Sequence, residues 1–522
     1  MDNMRCEVHQ RARRGKSRSG LMSLLLGHLG DALAPKLAHV YYLFQIIRCR
    51  ELKEINMSRS AAIAKIESYF DEGGFIEDLS RRVAIPTESQ NPDRMDVLYG
   101  YLTDEMQPTF ERMGYKCQVL ENPCQGYGPF LIAERHESDD LPTVLTYGHG
   151  DVVLGYDEQW REGLSPWTLT QEGDRLYGRG TADNKGQHTI NIAALETVLE
   201  TRGLLGFNSK LLIETGEETS SPGLKQLCQE NKDLFSADVL ICSDGPRLSP
   251  QRPTIFLGAR GAYNFDLTVD LREGGHHSGN WGGLLANPGI ILAHAIASIS
   301  SASGEIYVPE WRPPGIPASV RNAVHNLVID GGDGAPEIDP DWGEPGLTGA
   351  EKVFAWNSFE VLAFKTGNPE NPVNAIPPKA TATCQVRFTV GVDPEDFIPA
   401  LRRHFEARGF SMVEAEPAKK GYMMATRLSP DNEWVQWASA SIQNTTGKEP
   451  AVLPSLGGSL PNDVFADVLD LPTVWVPHSY ASCSQHAPNE HMLTTVAREG
   501  LQLMTGLFWD LGEAPPHWNA KT

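Results

Sequence analysis

The chain has 522 residues, 40% hydrophobic and 21% charged, a length of three to four domains of about 150 residues and a composition that excludes a wholly disordered or fibrous protein. Its 67 acidic against 45 basic residues give a formal charge of −22, which repels phosphate backbones and argues against nucleic acid as a principal partner. Eight cysteines, at 6, 49, 117, 124, 228, 242, 384 and 483, are scattered without a C-x-x-C pair; neither a disulfide framework nor a thiolate zinc ribbon is written here, and a reducing cytoplasm fits.

Residues 1–57 differ from the rest, with ten Lys/Arg against five Asp/Glu. The basic run 11–18, the apolar run 21–29 and Ala32-Leu33-Ala34 imitate a secretory signal, but Asp31 and Pro35 flank the would-be cleavage site and Gly27, His28 and Gly30 interrupt the apolar stretch. The eleven residues 37–47 fall short of the roughly 20 that span a bilayer. No membrane span is expected. The segment reads as a poorly structured extension, with the functional chain expected to begin at Met57.

From Ser58, Ala61, Ala62, Ile63 and Ile66 follow a helical period that Phe75, Ile76 and Leu79 continue until Pro86 ends it. Val97, Leu98, Tyr101, Leu102, Met106 and Phe110 predict a second amphipathic helix ending near Gly114. Apolar runs at 130–132, 143–146, 211–213 and 239–241 read as buried strands, with a helix at 189–199, and the alternation implies an α/β sheet. At Gly258 the pattern changes. Tyr263, Phe265, Leu267 and Val269 alternate, as do Ala382, Cys384, Val386 and Phe388, around a helix at 288–299. Residues 260–425 are therefore read as an inserted α+β domain. A helix after Asn432, carrying Trp434, Ala438 and Ile442, restarts the first pattern, so 58–259 and 426–522 form one discontinuous domain. The acidic stretch 330–344 holds six carboxylates without the spacing of a calcium loop and reads as solvated.

Chemistry collects at the strand ends. Tyr147-Gly148-His149-Gly150-Asp151 follows one predicted strand, Glu214-Thr215-Gly216-Glu217-Glu218 another, and Asp244 in Ile241-Cys242-Ser243-Asp244 a third, while Asp183 precedes a helix and His486 stands in a late loop. Open α/β sheets put ligand sites at the carboxyl ends of their strands. Carboxylates converging on one rim repel unless a cation neutralises them. Two imidazoles, several carboxylates and no thiolate suit zinc, with cobalt or manganese as substitutes. A shared carboxylate would let two ions sit about 3.5–4 Å apart and activate one water. Adjacent residues of an extended loop point opposite ways, so of Glu217 and Glu218 one is expected to bind metal and the other to be free as a general base.

In these motifs, and in their order over residues 58–515, the chain resembles the di-zinc peptidases and deacylases of metallopeptidase family twenty, which includes carboxypeptidases, aminoacylases, succinyl-diaminopimelate desuccinylases and carnosinase-type dipeptidases. The resemblance implies an α/β fold, a mixed-sheet exopeptidase catalytic domain interrupted by a ferredoxin-like lid and dimerisation domain, and a homodimer. It also implies two divalent ions, one on His149, Asp183 and Asp244 and one on Asp183, Glu218 and His486. Asp151 would orient His149, Glu217 would be the general base, and a cis peptide would follow Asp183.

His276-His277-Ser278-Gly279 is similar to the dipeptidase HSG motif, implying that His277 stabilises the oxyanion in the partner subunit's site. Asn374 and Arg387 resemble substrate-contacting lid positions, and Gly457-Gly458-Ser459-Leu460-Pro461 resembles a loop whose amides and hydroxyl, at Gly458 and Ser459, bind a substrate carboxylate. The expected substrate is a dipeptide or small peptide with a free C-terminal carboxylate. The alternatives are an N-acyl amino acid, cleaved by the same metals and base, or a catalytically inactive carboxylate-binding module, against which the presence of Glu217 counts.

Overall fold

The computed structural model describes residues 57–329 and 335–516. The expected extension lies outside them except for Met57, as do residues 330–334 of the acidic stretch. Of residues 1–61, a unit of their own, only 57–61 are described, at the start of the helix Arg59–Asp71; the chain from Ala62 forms the second unit.

Helix α1 (Gly74–Val83) buries Phe75, Leu79 and Val83, following the apolar spacing. The next predicted helix is built in three pieces: it is α-helical at Met95–Gly100, widens into a π-turn at Tyr101–Met106 and is α-helical again at Gln107–Arg112. Pro108 accounts for the difference, because it has no N–H and its ring displaces the carbonyl four residues earlier.

Two main sheets follow. In chain order their strands are β1 (Lys116–Leu120), β2 (Phe130–Arg135), β3 (Thr143–His149), β4 (Asn208–Glu214), β5 (Val239–Cys242), β6 (Thr254–Phe256), β7 (Gly261–Asp270), β8 (Ser358–Thr366), β9 (Lys379–Phe388), β10 (Glu414–Met423), β11 (Ala451–Leu453) and β12 (Thr473–Trp475). The first sheet runs β1-β2-β4-β3-β5-β12-β6-β11. It is mixed: β3 is parallel to β4 and β5, and β12 to β5, whereas β2 is antiparallel to both β1 and β4. β4 is buried along its whole length, as a strand covered on both faces must be. On one face Val144, Leu211 and Ile213 meet side chains of α1, α2 (Lys185–Arg202) and two later helices; on the other, Leu145, Tyr147 and Leu212 meet Phe354, Leu456 and Trp475.

The second sheet, β8-β9-β7-β10, is antiparallel throughout. Burial alternates along β7, and the buried face packs on α3 (Pro288–Ile299) and α4 (Phe397–Ala407) through Leu292, Ile299, Leu401 and Phe405. α3 starts where proline costs nothing, with Asn287 Oδ1 accepting the N–H groups of Gly289 and Ile290. The chain order of this sheet is β-α-β-β-α-β. It is reached from β6 and left towards α5 (Glu433–Thr446), the helix expected after Asn432, whose Oδ1 accepts from Trp434 N; α6 (Thr494–Glu513) is the last helix among the described residues. Among the described residues no helix is long and apolar enough to cross a membrane.

Candidate metal centre

β3 ends at His149, which is paired in register with Glu214 at the end of β4, and β5 ends two residues before Asp244. The glycines beside His149 are required by contact: a Cβ on Gly148 would stand 2.8 Å from His188 Cβ, and one on Gly150 2.4 Å from the Tyr101 ring. His149 is fully buried. Its Nε2 lies 2.9 Å from Asp183 Oδ1 and 3.6 Å from Asp244 Oδ2, and its Nδ1 3.0 Å from the Asp151 carbonyl and 3.4 Å from Asp151 Oδ1.

Glu217 and Glu218 do not lie on an extended loop as the sequence suggested. They open a 3₁₀ turn, Glu217–Thr219. The buried carboxylate of Asp151 organises that turn, its Oδ1 accepting from Glu217 N at 3.2 Å and its Oδ2 from Glu218 N at 3.1 Å. Asp151 thus holds His149 and both glutamates, one role more than the sequence suggested. Glu218 Oε2 and Asp183 Oδ2 each lie 3.0 Å from His486 Nε2, while Glu217 lines the adjoining cavity.

Asp183, followed by a cis peptide to Asn184, sits in a loop held by a residue that sequence reasoning missed. Glu490 Oε1 accepts from the backbone N–H groups of Gly180, Ala182 and Asp183 at 3.1, 3.0 and 3.1 Å, and its Oε2 accepts from Arg179 Nη1 at 2.7 Å. Its position four residues after His486 was the available signal, because one short segment then joins the two loops that carry Asp183 and His486.

Two groups of donor atoms result, His149–Asp183–Asp244 and Asp183–Glu218–His486, each drawn together within 4.8 Å, with Asp183 in both. Burial raises the Asp244 carboxyl to about 6 and the Glu218 carboxyl to about 7, reinforced in each case by the charge of Asp183, and burial pushes Glu217 well above the usual carboxylate range. For Asp183 burial works in the same direction but is outweighed by hydrogen bonds from His149 and His486, which hold it low. Asp244 Oδ2 is buried without a hydrogen-bond donor. An orphan carboxylate oxygen among imidazoles and carboxylates fits a divalent cation, and all these donors are oxygen or nitrogen.

The cavity beside the cluster has a volume of about 620 Å³ and includes Asp183, Glu217, Asp244, His486, Arg387, Gly458 and Ser459 in its lining. Arg387 Nη1 donates to Ser459 Oγ at 2.8 Å, and that hydroxyl donates to the Arg260 carbonyl at 2.7 Å. The Ser459 proton is therefore committed. Ser459 thus links the Arg387 guanidinium to the Arg260 backbone, and Ser459 and Arg387 both line the cavity. Arg260, also missed, donates from Nε to the Gly457 carbonyl at 3.0 Å; burial and the charge of Arg387 lower it to about 10.

Two predicted site residues stand elsewhere. His277 and Asn374 are exposed and are not among the residues lining the cavity. His277 Nδ1 accepts from Gly279 N, and the Asn374 carbonyl accepts from the backbone and hydroxyl of Ser278. They form one exposed unit with the short pairing of His276–His277 to Ala375–Ile376.

A mixed α/β sheet with imidazole and carboxylate donors gathered at its carboxyl edge has the architecture of a metal-dependent hydrolase. The sequence model of peptidase family M20/M25/M40 matches residues 145–510, and the chain belongs to that family of metallopeptidases. Beta-Ala-His dipeptidase of Mus musculus is 31% identical over 275 residues, 48% of this chain and 54% of that enzyme. The Rattus norvegicus Beta-Ala-His dipeptidase is 30% identical over 483 residues, 87% of this chain and 96% of that enzyme. Among solved structures, a metallo-carboxypeptidase from Sulfolobus solfataricus shares the fold with a TM-score of 0.70 at 24% identity, covering 84% of this chain and 99% of that one.

Proposed function

We propose that this enzyme hydrolyses the amide bond of dipeptides or small peptides with a free C-terminal carboxylate, using two divalent ions, zinc by preference. The observation that carries the reading is Asp183, common to two donor clusters whose cavity also holds Glu217 and the guanidinium of Arg387. His149, Asp183 and Asp244 would hold one ion, and Asp183, Glu218 and His486 the other. When bound, the ions supply Lewis acidity and make the attacking water more acidic. Glu217, buried and raised in pKa, takes that water's proton and returns it to the leaving amine. Asp151 keeps His149 and the Glu217–Glu218 turn in place. Arg387, oriented by Ser459, holds the substrate carboxylate, with the Gly458 backbone beside it. That the rodent relatives are Beta-Ala-His dipeptidases supports the choice of substrate.

In this reading residues 58–259 and 426–522 form the catalytic domain, and 260–425 a ferredoxin-like lid that also dimerises; the β-α-β-β-α-β order of the second sheet supports it. β8 is an edge strand with Val361, Leu362 and Phe364 exposed, and Ile290 of α3 is 60% exposed. Such an unpaired apolar edge favours a second copy. His277 and Asn374 would then serve the partner subunit's cavity. The six described cysteines are all free thiols, which supports a cytoplasmic setting.

The test is hydrolysis of a mixed panel of dipeptides and N-acyl amino acids by zinc-loaded, chelated and Glu217→Gln protein, with metal counted in each. Chelator-sensitive cleavage of dipeptides that is lost in Glu217→Gln is expected. Cleavage of N-acyl amino acids alone would replace the peptidase reading with a deacylase, and full turnover by metal-loaded Glu217→Gln would overturn the base assignment.

A further inference from the structure

The charged groups of the cavity stand at its two functional ends, the donor clusters and Arg387, with Arg247 also in the lining: its Nη1 donates to Glu499 at 2.5 Å and its Nε to the Pro477 carbonyl, while its buried Nη2 has no hydrogen-bond partner. Between the ends the wall is apolar: Leu248, Val353, Phe354, Leu453, Leu456 and Leu460. Its position is fixed by contacts of neighbouring glycines. A Cβ on Gly457 would lie 3.0 Å from Val353 Cγ1, one on Gly458 3.8 Å from Leu456 Cδ2, and one on Gly245 3.1 Å from Leu456 Cδ2. The wall therefore begins against the Gly457–Ser459 loop that adjoins Arg387 and ends against the residue following Asp244. Phe354, Leu453, Leu456 and Leu460 belong to the core on that face of the sheet, while Val353 and Leu248 are half-buried and pack against it. The surface is preformed and backed by core, so binding on it requires little reorganisation.

We propose that this wall is the subsite for the side chain of the substrate's carboxyl-terminal residue and selects leucine, methionine or phenylalanine there. The inference rests on the carboxylate anchor proposed above: a residue whose carboxylate meets Arg387 and whose amide reaches the donor clusters lies alongside the wall. Removing such a side chain from water changes kcat/KM by roughly tenfold or more relative to glycine. A lysine side chain would bring to the wall a positive charge that meets no carboxylate there and is disfavoured. The subsite acts equally on dipeptides and on N-acyl amino acids, since both present the same carboxyl-terminal residue.

The experiment measures kcat/KM of zinc-loaded enzyme for alanyl-X and N-acetyl-X, with X as glycine, leucine, methionine, phenylalanine, histidine, glutamate or lysine. Calorimetric titration with free leucine and free glycine runs beside it. Leucine, methionine and phenylalanine are expected to exceed glycine by roughly tenfold or more, and to exceed glutamate, with lysine at or below glycine. Val353→Asp, at a half-buried position of the wall, is expected to collapse the leucine-to-glycine ratio. A flat profile, histidine, glutamate or lysine exceeding the three apolar residues, or an unchanged ratio in folded Val353→Asp would overturn the proposal. Failure to cleave any dipeptide would sink the peptidase reading, and the N-acetyl series would then decide the subsite. If neither series turns over, free leucine binding roughly tenfold more tightly than glycine upholds the subsite, and equal binding overturns it.

Discussion

Glu490→Gln removes one negative charge from a buried position on which three backbone N–H groups and the Arg179 guanidinium converge. Glutamine keeps one oxygen for the N–H groups of Gly180, Ala182 and Asp183 but turns its amide nitrogen, a donor, towards Arg179. That leaves Arg179, whose side chain is 1% exposed, without a carboxylate, held by the carbonyls of Leu154 and Ala487 and the face of the Trp160 ring. Leaving one member of a buried ion pair uncompensated costs about 3–5 kcal/mol. Against a total stability on the order of 5–15 kcal/mol the protein still folds. The loop bearing Asp183 is then held less firmly, and side chains that fix metal ligands from behind typically change metal affinity by about 10–100-fold, or roughly 1.4–2.7 kcal/mol. Equilibrium dialysis against zinc buffers with atomic-emission counting reads the affinity, and urea unfolding in parallel reads the stability. Both should fall. A variant that loses stability but keeps wild-type zinc affinity would refute the link between Glu490 and the Asp183 loop, and one that loses neither would refute the buried ion pair.

Ser459→Ala removes the hydroxyl that orients Arg387; KM for peptides with a free carboxylate should rise roughly tenfold with kcat nearly kept, whereas the corresponding C-terminal amides should respond little. If His277 serves the partner's cavity, mixing inactive His277→Ala with inactive Glu217→Gln should restore roughly a quarter of wild-type activity through mixed dimers, and no recovery in verified mixed dimers would place His277 in its own subunit's cavity. Acidification should strip metal. Hydrogen bonds donated to the carboxylates of Asp183 and Glu218 raise His486 to about 11, and His149 is raised well above its usual value because its carboxylate partners outweigh burial. An imidazole must lose its proton to ligate, so protons compete with metal and zinc content after dialysis should fall from pH 8 towards pH 5.

What the sequence made legible depended on whether the signal was local. The apolar runs around Val144, Leu212 and Leu240 marked strands covered on both faces, and because those strands are parallel the residues just past their ends meet at one edge. His149, Glu217, Glu218 and Asp244 followed from that rule, and Asp183 and His486 from motif order. Interior deviations were illegible where one residue reset the backbone, as Pro108 does for the π-turn before it and Asp151 for the 3₁₀ turn at Glu217. Glu490 and Arg260 escaped because most of their partners are distant backbone groups: the N–H groups received by Glu490 lie 307 to 310 residues away, and every residue type but proline supplies one, while its side-chain partner Arg179 is 311 residues away. No pattern of side chains announces such a bond.

His277 and Asn374 show the opposite failure. Their motif ties them to the cavity, yet within one subunit they are joined to each other and to solvent, through Ser278 and the pairing with Ala375–Ile376. A motif records that a residue serves a site but not which copy of the site. If the proposed dimer forms on the exposed apolar edge of β8, a second chain docked there would bury Val361, Leu362 and Phe364. Disrupting the edge with Leu362→Lys should therefore yield a monomer by light scattering whose metal content is normal and whose kcat has fallen to the level of His277→Ala. A monomer with full kcat would remove His277 from the reaction and leave Arg387, Glu217 and the two donor clusters to perform it within one subunit.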